Sequence, residues 1–205
     1  MAGERCLMVG GHSVLGEPLP EPAGYDVLRE AGKPTPEFFE LEQTKGAAQC
    51  FHDAIARHSQ AHSHGGAVDV HSADEYEHMR LFLTEDGLTG FAIVDKDELV
   101  SVFSAQGSGR GRALSVSAVD AGCRRADCFA IPAGVEDTEG FLPRLYRQAG
   151  LVEVARVEIN EAYDHPPGSM WVSILATVDN PPPVKMFGKD DYEAALSYRD
   201  GVLGS

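Results

Sequence analysis

The chain has 205 residues, 43% of them apolar, and a formal charge of −15 from 17 Lys+Arg against 32 Asp+Glu. That apolar share supports a packed core and excludes wholesale disorder, and the length suits one domain with an appended arm. The acidic balance disfavours broad nucleic-acid binding, which draws on many phosphate contacts, and no apolar run is long enough to span a membrane as a helix.

In chain order, residues 1–43 read as a loop-like arm. Pro18, Pro20, Pro22, Pro34 and Pro36 crowd into it, each removing a backbone donor and fixing φ. Glu4, Gly10, Gly11 and His12 stand where an apolar signal core would sit, so the expected location is cytoplasmic, without membrane attachment. Thr44 caps a predicted helix in which Ala47, Cys50, Phe51, Ala54, Ile55 and His58 recur at spacings of three and four. A short strand-like run follows at 67–70. Ser72 and Glu75 match the capping box and predict a second helix, with Tyr76, Met79, Phe82 and Leu83 on one face.

Runs 90–94 and 98–104 predict two strands. The polar turn Asp95-Lys96-Asp97 makes them an antiparallel hairpin. A glycine-rich turn, 106–112, leads into a small-residue helix over 113–121, stopped by Gly122. A strand at 127–131 and a helix over 139–149 follow, with Pro143 in the helix's first turn and Gly150 at its end. Strands at 151–159 and 170–178 precede Pro181-Pro182-Pro183. The remaining tail, to 205, carries a short amphipathic piece around Tyr192, Leu196 and Tyr198. The expected fold is therefore α/β: a mixed, mostly antiparallel central sheet flanked by helices, with a proline-rich arm at 1–43, a main domain at 44–180 and a tail at 181–205.

The sharpest chemical feature is Gln106-x-x-Gly109-x-Gly111, between a strand and a helix. Glycines let backbone N–H groups converge on a phosphate without side-chain obstruction, and a helix N-terminus adds partial positive charge. Arg110 and Arg112 share the turn, and Arg124 and Arg125 follow, with Asp120 as the one nearby acid. No Gly-Lys-Ser/Thr follows, so this is not a nucleotide P-loop. Arg112 and Leu114 stand where a third glycine would complete a dinucleotide fingerprint.

Gln106-x-x-Gly109-x-Gly111 resembles the pyrophosphate-binding motif of the GNAT (N-acetyltransferase) superfamily. Tyr146-Arg-Gln-Ala-Gly150-Leu151 is similar to that superfamily's Tyr-x-x-x-Gly-Phe element, with Leu151 in place of Phe. The two motifs fall in the family's order and cover about residues 76–178. The resemblance implies an acyl-coenzyme A donor, acetyl-CoA or another acyl-CoA, held along the end of the 98–104 strand. Val102, Phe103, Ser104, Gln106, Gly109, Arg110, Gly111 and Arg112 would bind it. It implies direct attack by an amine on the thioester, with a backbone N–H of that strand polarising the carbonyl and Tyr146 protonating the leaving thiolate. Glu98 is the first choice for the base, with Asp127, His71 and His165 as others. Asn160, Tyr163 and Trp171 flank the last strand connection, where a small-molecule or peptide amine would approach.

Two other readings stay open. A GNAT-like fold could take an aminoacyl group from charged tRNA, or serve as a non-catalytic interaction module. Metal is not expected: His58, His62 and His64 lack a completing ligand, and Cys123 and Cys128 lack a second pair. Cys6, Cys50, Cys123 and Cys128 are expected as free thiols, and no catalytic serine or cysteine signature is present.

Overall fold

Residues 3–61, 70–95 and 97–204 are described by the structure, a computed structural model. The strand-like run at 67–69, His62, His64 and Lys96 lie outside the described residues. The chain divides into two compact units, Met1–Cys123 and Arg124–Ser205. The expected boundaries at 43 and 180 both fall inside these units.

The first unit forms strands where a loop-like arm was expected. β1 (Arg5–Val9) and β2 (His12–Pro18) form a hairpin across Gly10-Gly11, both with positive φ. That two-residue turn matches the twist of paired strands and favours glycine. Alternation then buries Leu7, Val9 and Val14. The prolines fall at element ends and in connections: Pro18 closes β2, Pro20 and Pro22 precede α1 (Tyr25–Glu30), and Pro34 and Pro36 precede β3 (Phe38–Leu41). Their number, read as an average over the window, concealed the short strands between them.

α2 (Lys45–Ala61) starts as expected, with the Thr44 hydroxyl accepting the Ala47 N–H at 3.2 Å. The Ser72–Glu75 capping box also forms, but α3 (Ala73–Tyr76) is one turn long. The predicted helix ends there. β4 (Arg80–Thr84) takes Phe82 and Leu83 into the sheet on opposite faces, because pairing with strands on both sides outweighs helical spacing. β5 (Thr89–Val94) and β6 (Glu98–Ser104) form the expected antiparallel hairpin. α4 (Gly111–Asp120) completes the unit. The strands pair in chain order, β1 to β6, every neighbour antiparallel.

Both faces of this sheet are covered. On one, Ala47, Cys50, Phe51, Ala54 and Ile55 of α2 pack on Leu7, Phe39, Leu81, Leu83 and Phe103. On the other, Phe82 and Phe91 stack at 4.5 Å, and Phe38 tilts against Phe91 at 5.5 Å. α4 packs on β5 and against Tyr25 and Leu28 of α1. Arg80 fastens the end of α4: it donates to the Ala121 carbonyl at 2.8 Å and grips Glu40 of β3 at 2.6 and 2.8 Å.

In the second unit, β7 (Arg125–Phe129) leads to α5 (Phe141–Arg147), β8 (Val152–Glu158) and β9 (Trp171–Ala176). The expected tail is instead β10 (Lys185–Phe187), parallel to β8, and α6 (Tyr192–Leu203). The strand order is β7-β9-β8-β10. Ala195 and Leu196 of α6 pack over Val154, Val157 and Ile174, so burial fixes a segment whose isolated pattern reads as a stub. The architecture is thus mixed α/β with mostly antiparallel strands. Among the described residues, no helix is long and apolar enough to cross a membrane.

Candidate functional site

The glycine turn lies between β6 and α4, as its sequence requires. Gly107 and Gly109 adopt φ of 73° and 69°, a conformation costly for residues with a Cβ. Gly109 is exposed, and a Cβ on it would meet only Pro34 ring carbons, at 3.5 and 3.7 Å. Ser108 pins the turn. Its N–H donates to the Ala105 carbonyl at 3.1 Å, and its hydroxyl bonds that of Ser104 at 3.1 Å and accepts the Arg110 N–H at 3.3 Å. Among the described residues, no acceptor stands against the N–H groups of Gly109, Gly111 and Arg112. The last two open a ten-residue helix, where free amides and the helix dipole favour an anion.

The turn's two arginines differ. Arg110 is held by Asp86 of the β4–β5 connection at 2.7 and 3.0 Å. Burial opposes ionisation of Asp86, but the Thr84 hydroxyl, the Leu88 N–H and Arg110 outweigh it and hold the carboxyl below its usual range. Arg110 is therefore a strut of the turn rather than an open cation. Arg112 is half-buried and has no carboxylate partner among the described residues. Gln106 is exposed.

β6 leads into this turn through an irregularity that the sequence reading missed. Gly90 opposes Phe103 and Ala92 opposes Val100, so Ser101 and Val102 together face Phe91. Two residues against one is a β-bulge. Ser101 has φ 52°, a left-handed conformation that costs a non-glycine residue about 1–2 kcal/mol. The buried Tyr76 donates its O–H to the Ser101 hydroxyl at 2.9 Å. The signal was in the spacing. Val100 and Phe103 both pack on the α2 side, yet they are three residues apart, which a regular strand forbids.

Phe103, expected at the cofactor, is 3% exposed and packs on Phe51 at 5.7 Å and His58 at 5.5 Å. Its side chain is core. Ser104 bonds Thr89 at 3.3 Å as well as Ser108. Val102 is half-buried, and Glu98 opens β6 opposite Val94.

In the second unit, Tyr146 is 4% exposed on α5, and its carbonyl accepts the Ala149 and Leu151 N–H groups. Asn160 is occupied: its amide donates to Asp190 at 2.9 Å and its side-chain oxygen accepts the Ala162 N–H at 3.0 Å. Tyr163 is 73% exposed. Trp171 donates to Glu153 and to Ser173, both at 2.9 Å, under the Arg156 guanidinium at 4.1 Å. Ser173 also donates to Glu153 at 2.6 Å, and Arg156 closes on Glu153 at 2.8 Å. This polar cluster had no sequence signature, because its members come from two strands in antiparallel register.

The alternative bases separate. The Glu161 carboxylate at 3.1 Å, then the Pro166 carbonyl, raise the pKa of His165. Asp127 was expected near a strand end but lies mid-strand in β7, opposite Ile174. His71 donates its backbone N–H to the Tyr76 oxygen at 3.2 Å, with its ring 3.8 Å from Glu75.

None of the four cysteines forms a disulfide. Burial pushes Cys50 up to about 11 and Cys128 well above its ordinary value, so neither is a ready nucleophile. Among the described residues, no cluster of His, Cys, Asp and Glu is arranged to hold a metal. A cavity of about 280 Å³ is walled by Leu19, Pro20, Tyr25, Pro36, Phe38 and Ser117, and none of the predicted site residues lines it. Compared with protein-family models, curated proteins and solved structures, the chain matches none.

Proposed function

We propose that the chain is an acyl-CoA-dependent N-acyltransferase of the GNAT type. The observation that carries this reading is the turn before α4: two left-handed glycines and, among the described residues, three backbone N–H groups without an acceptor and Arg112 without a carboxylate partner. Absent side chains and a helix N-terminus fit a diphosphate there. The chain order supports it too: a strand hairpin, the turn, a helix, a strand, the Tyr146 helix with Gly150 just beyond its end, and two antiparallel strands.

The N–H groups of Gly109, Gly111 and Arg112 would hold the diphosphate, with Gln106 beside them, while Arg110 keeps the turn in shape through Asp86. Val102 and Ser104 would lie along the pantetheine arm. Bound there, acyl-CoA supplies a thioester. In the family this chain resembles, an amine nitrogen forms a bond to the carbonyl carbon, the carbon–sulfur bond breaks, and the sulfur takes a proton from a tyrosine whose motif position Tyr146 matches. Glu98 would accept the proton that the ammonium must lose. Of the acceptor residues, Tyr163 has the most exposed surface, whereas Asn160 is held by Asp190 and Ala162 and Trp171 by Glu153 and Ser173.

Calorimetric titration with acetyl-CoA tests the reading. Saturable binding competed by free coenzyme A, and lost in Gly109→Val, is the expected result. No binding, or salt-sensitive binding of aminoacyl-tRNA in its place, would overturn it.

A further inference from the structure

Ser101 is the one non-glycine residue inside a described strand with a left-handed backbone; the other, Asp95, sits in a turn. A network of contacts reaches it through Tyr76. Tyr76, 0% exposed, donates to the Ser101 hydroxyl at 2.9 Å and accepts the His71 N–H at 3.2 Å. Its ring is fixed edge-on to Phe51 at 4.9 Å and to His71 at 5.7 Å. Phe51 in turn packs on Phe103, two residues beyond Ser101.

The extra residue at the bulge reverses which side chains of β6 face which way from there onward. It sends Phe103 into the α2 core and leaves Ser104 to meet Thr89 and Ser108. Ser108 then accepts the Arg110 N–H. Removing the bulge would turn Phe103 away from Phe51 and withdraw Ser104 from the turn it pins. A chain of contacts therefore runs from the Tyr76 phenol to the open N–H groups at α4.

We propose that Tyr76 is a positioning residue: by holding Ser101 in its left-handed conformation, its O–H sets the last three residues of β6 and the aim of the glycine turn. In its consequence for ligand, this rests on the acyltransferase reading. Tyr76 touches no substrate in this scheme and acts through the backbone of β6.

The test is a rescue. Y76F keeps the ring and its packing but removes the hydrogen bond. Glycine adopts left-handed backbone without that help, so S101G should make the bond dispensable. In Y76F, acetyl-CoA affinity and kcat/KM should fall roughly ten- to a hundred-fold, as displaced binding groups do. Y76F/S101G should recover most of the loss. In the ligand-free proteins, hydrogen exchange of the amides over 104–113 should quicken in Y76F and return in the double variant. Loss of thermal stability in Y76F with exchange and affinity unchanged would overturn the proposal. So would a double variant no better than Y76F. Wild-type protein that fails to bind acetyl-CoA would remove the acyltransferase reading and the ligand half of this proposal, while the exchange pattern still decides the lock.

Discussion

Gly90 shows how one absent side chain sets the middle of the first sheet. A Cβ there would stand 2.6 Å from Leu83 Cδ2 and 2.7 Å from the Phe82 carbonyl oxygen. A backbone oxygen has nowhere to move, so Gly90→Ala should destabilise by about 1–3 kcal/mol, lowering the urea midpoint with little change in slope. Tyr146 makes a different prediction. It is buried on α5, and Tyr146→Phe keeps the ring, so the variant should stay folded by circular dichroism. If it is the acid of an acyl transfer, thiol release should fall by about 10²-fold. A folded variant with full turnover would remove it from the chemistry. Asp137, which closes the loop ahead of α5, carries the pH dependence. It accepts the N–H groups of Ala133, Gly140 and Glu139 and the Arg144 guanidinium, which together hold its carboxyl well below the usual range. The folded value lies below the unfolded one, near 3.9. Its stabilisation is therefore full above that pH and is lost progressively as pH falls from there through the lower folded value. Protection of the Glu139 and Gly140 amides should persist at about pH 4 and fail in stronger acid, and should be lost at neutral pH in Asp137→Ala.

Elements were legible where a local chemical device marks an end. Thr44, the Ser72–Glu75 box and Gly122 each act within one turn, so their meaning survives without knowledge of the rest of the chain. Ser72→Ala should cost about 1 kcal/mol, measurable as a lower urea midpoint. The devices mark where helices start better than how long they run. α3 stops after one turn because Arg80 to Thr84 gain two strand neighbours, a gain no local pattern announces. The opposite failure occurred at Leu7, Val9 and Val14. Gly10-Gly11 between alternating apolar residues is a hairpin signal at the right spacing, and proline density around it outweighed that signal in the reading. In the candidate site, the glycine turn and its helix were legible for the same local reason. The Ser101 bulge and the Glu153–Arg156–Trp171 cluster were not, because each exists only through residues on other strands.

At the scale of the molecule, the last 25 residues matter more than their composition implies. α6 covers the apolar face of β8 and β9. A chain ending at 180 would expose Val154, Val157 and Ile174, and should bind a hydrophobic dye and aggregate, unlike the full chain. Intact solubility of that truncation would mean the second sheet is stable without its cover. The sequence by itself determined the α/β class, the central hairpin, the glycine turn and the helix behind it, because caps, alternation and left-handed glycines act over a few residues. Only the tertiary structure decided that residues 5–9, 12–18 and 38–41 are strands of the sheet, that Phe103 is core, that Arg110 belongs to Asp86 and that Ser101 is bulged. Those outcomes depend on which distant strand or carboxylate arrives alongside, and burial against a partner is not written in the residues that it buries.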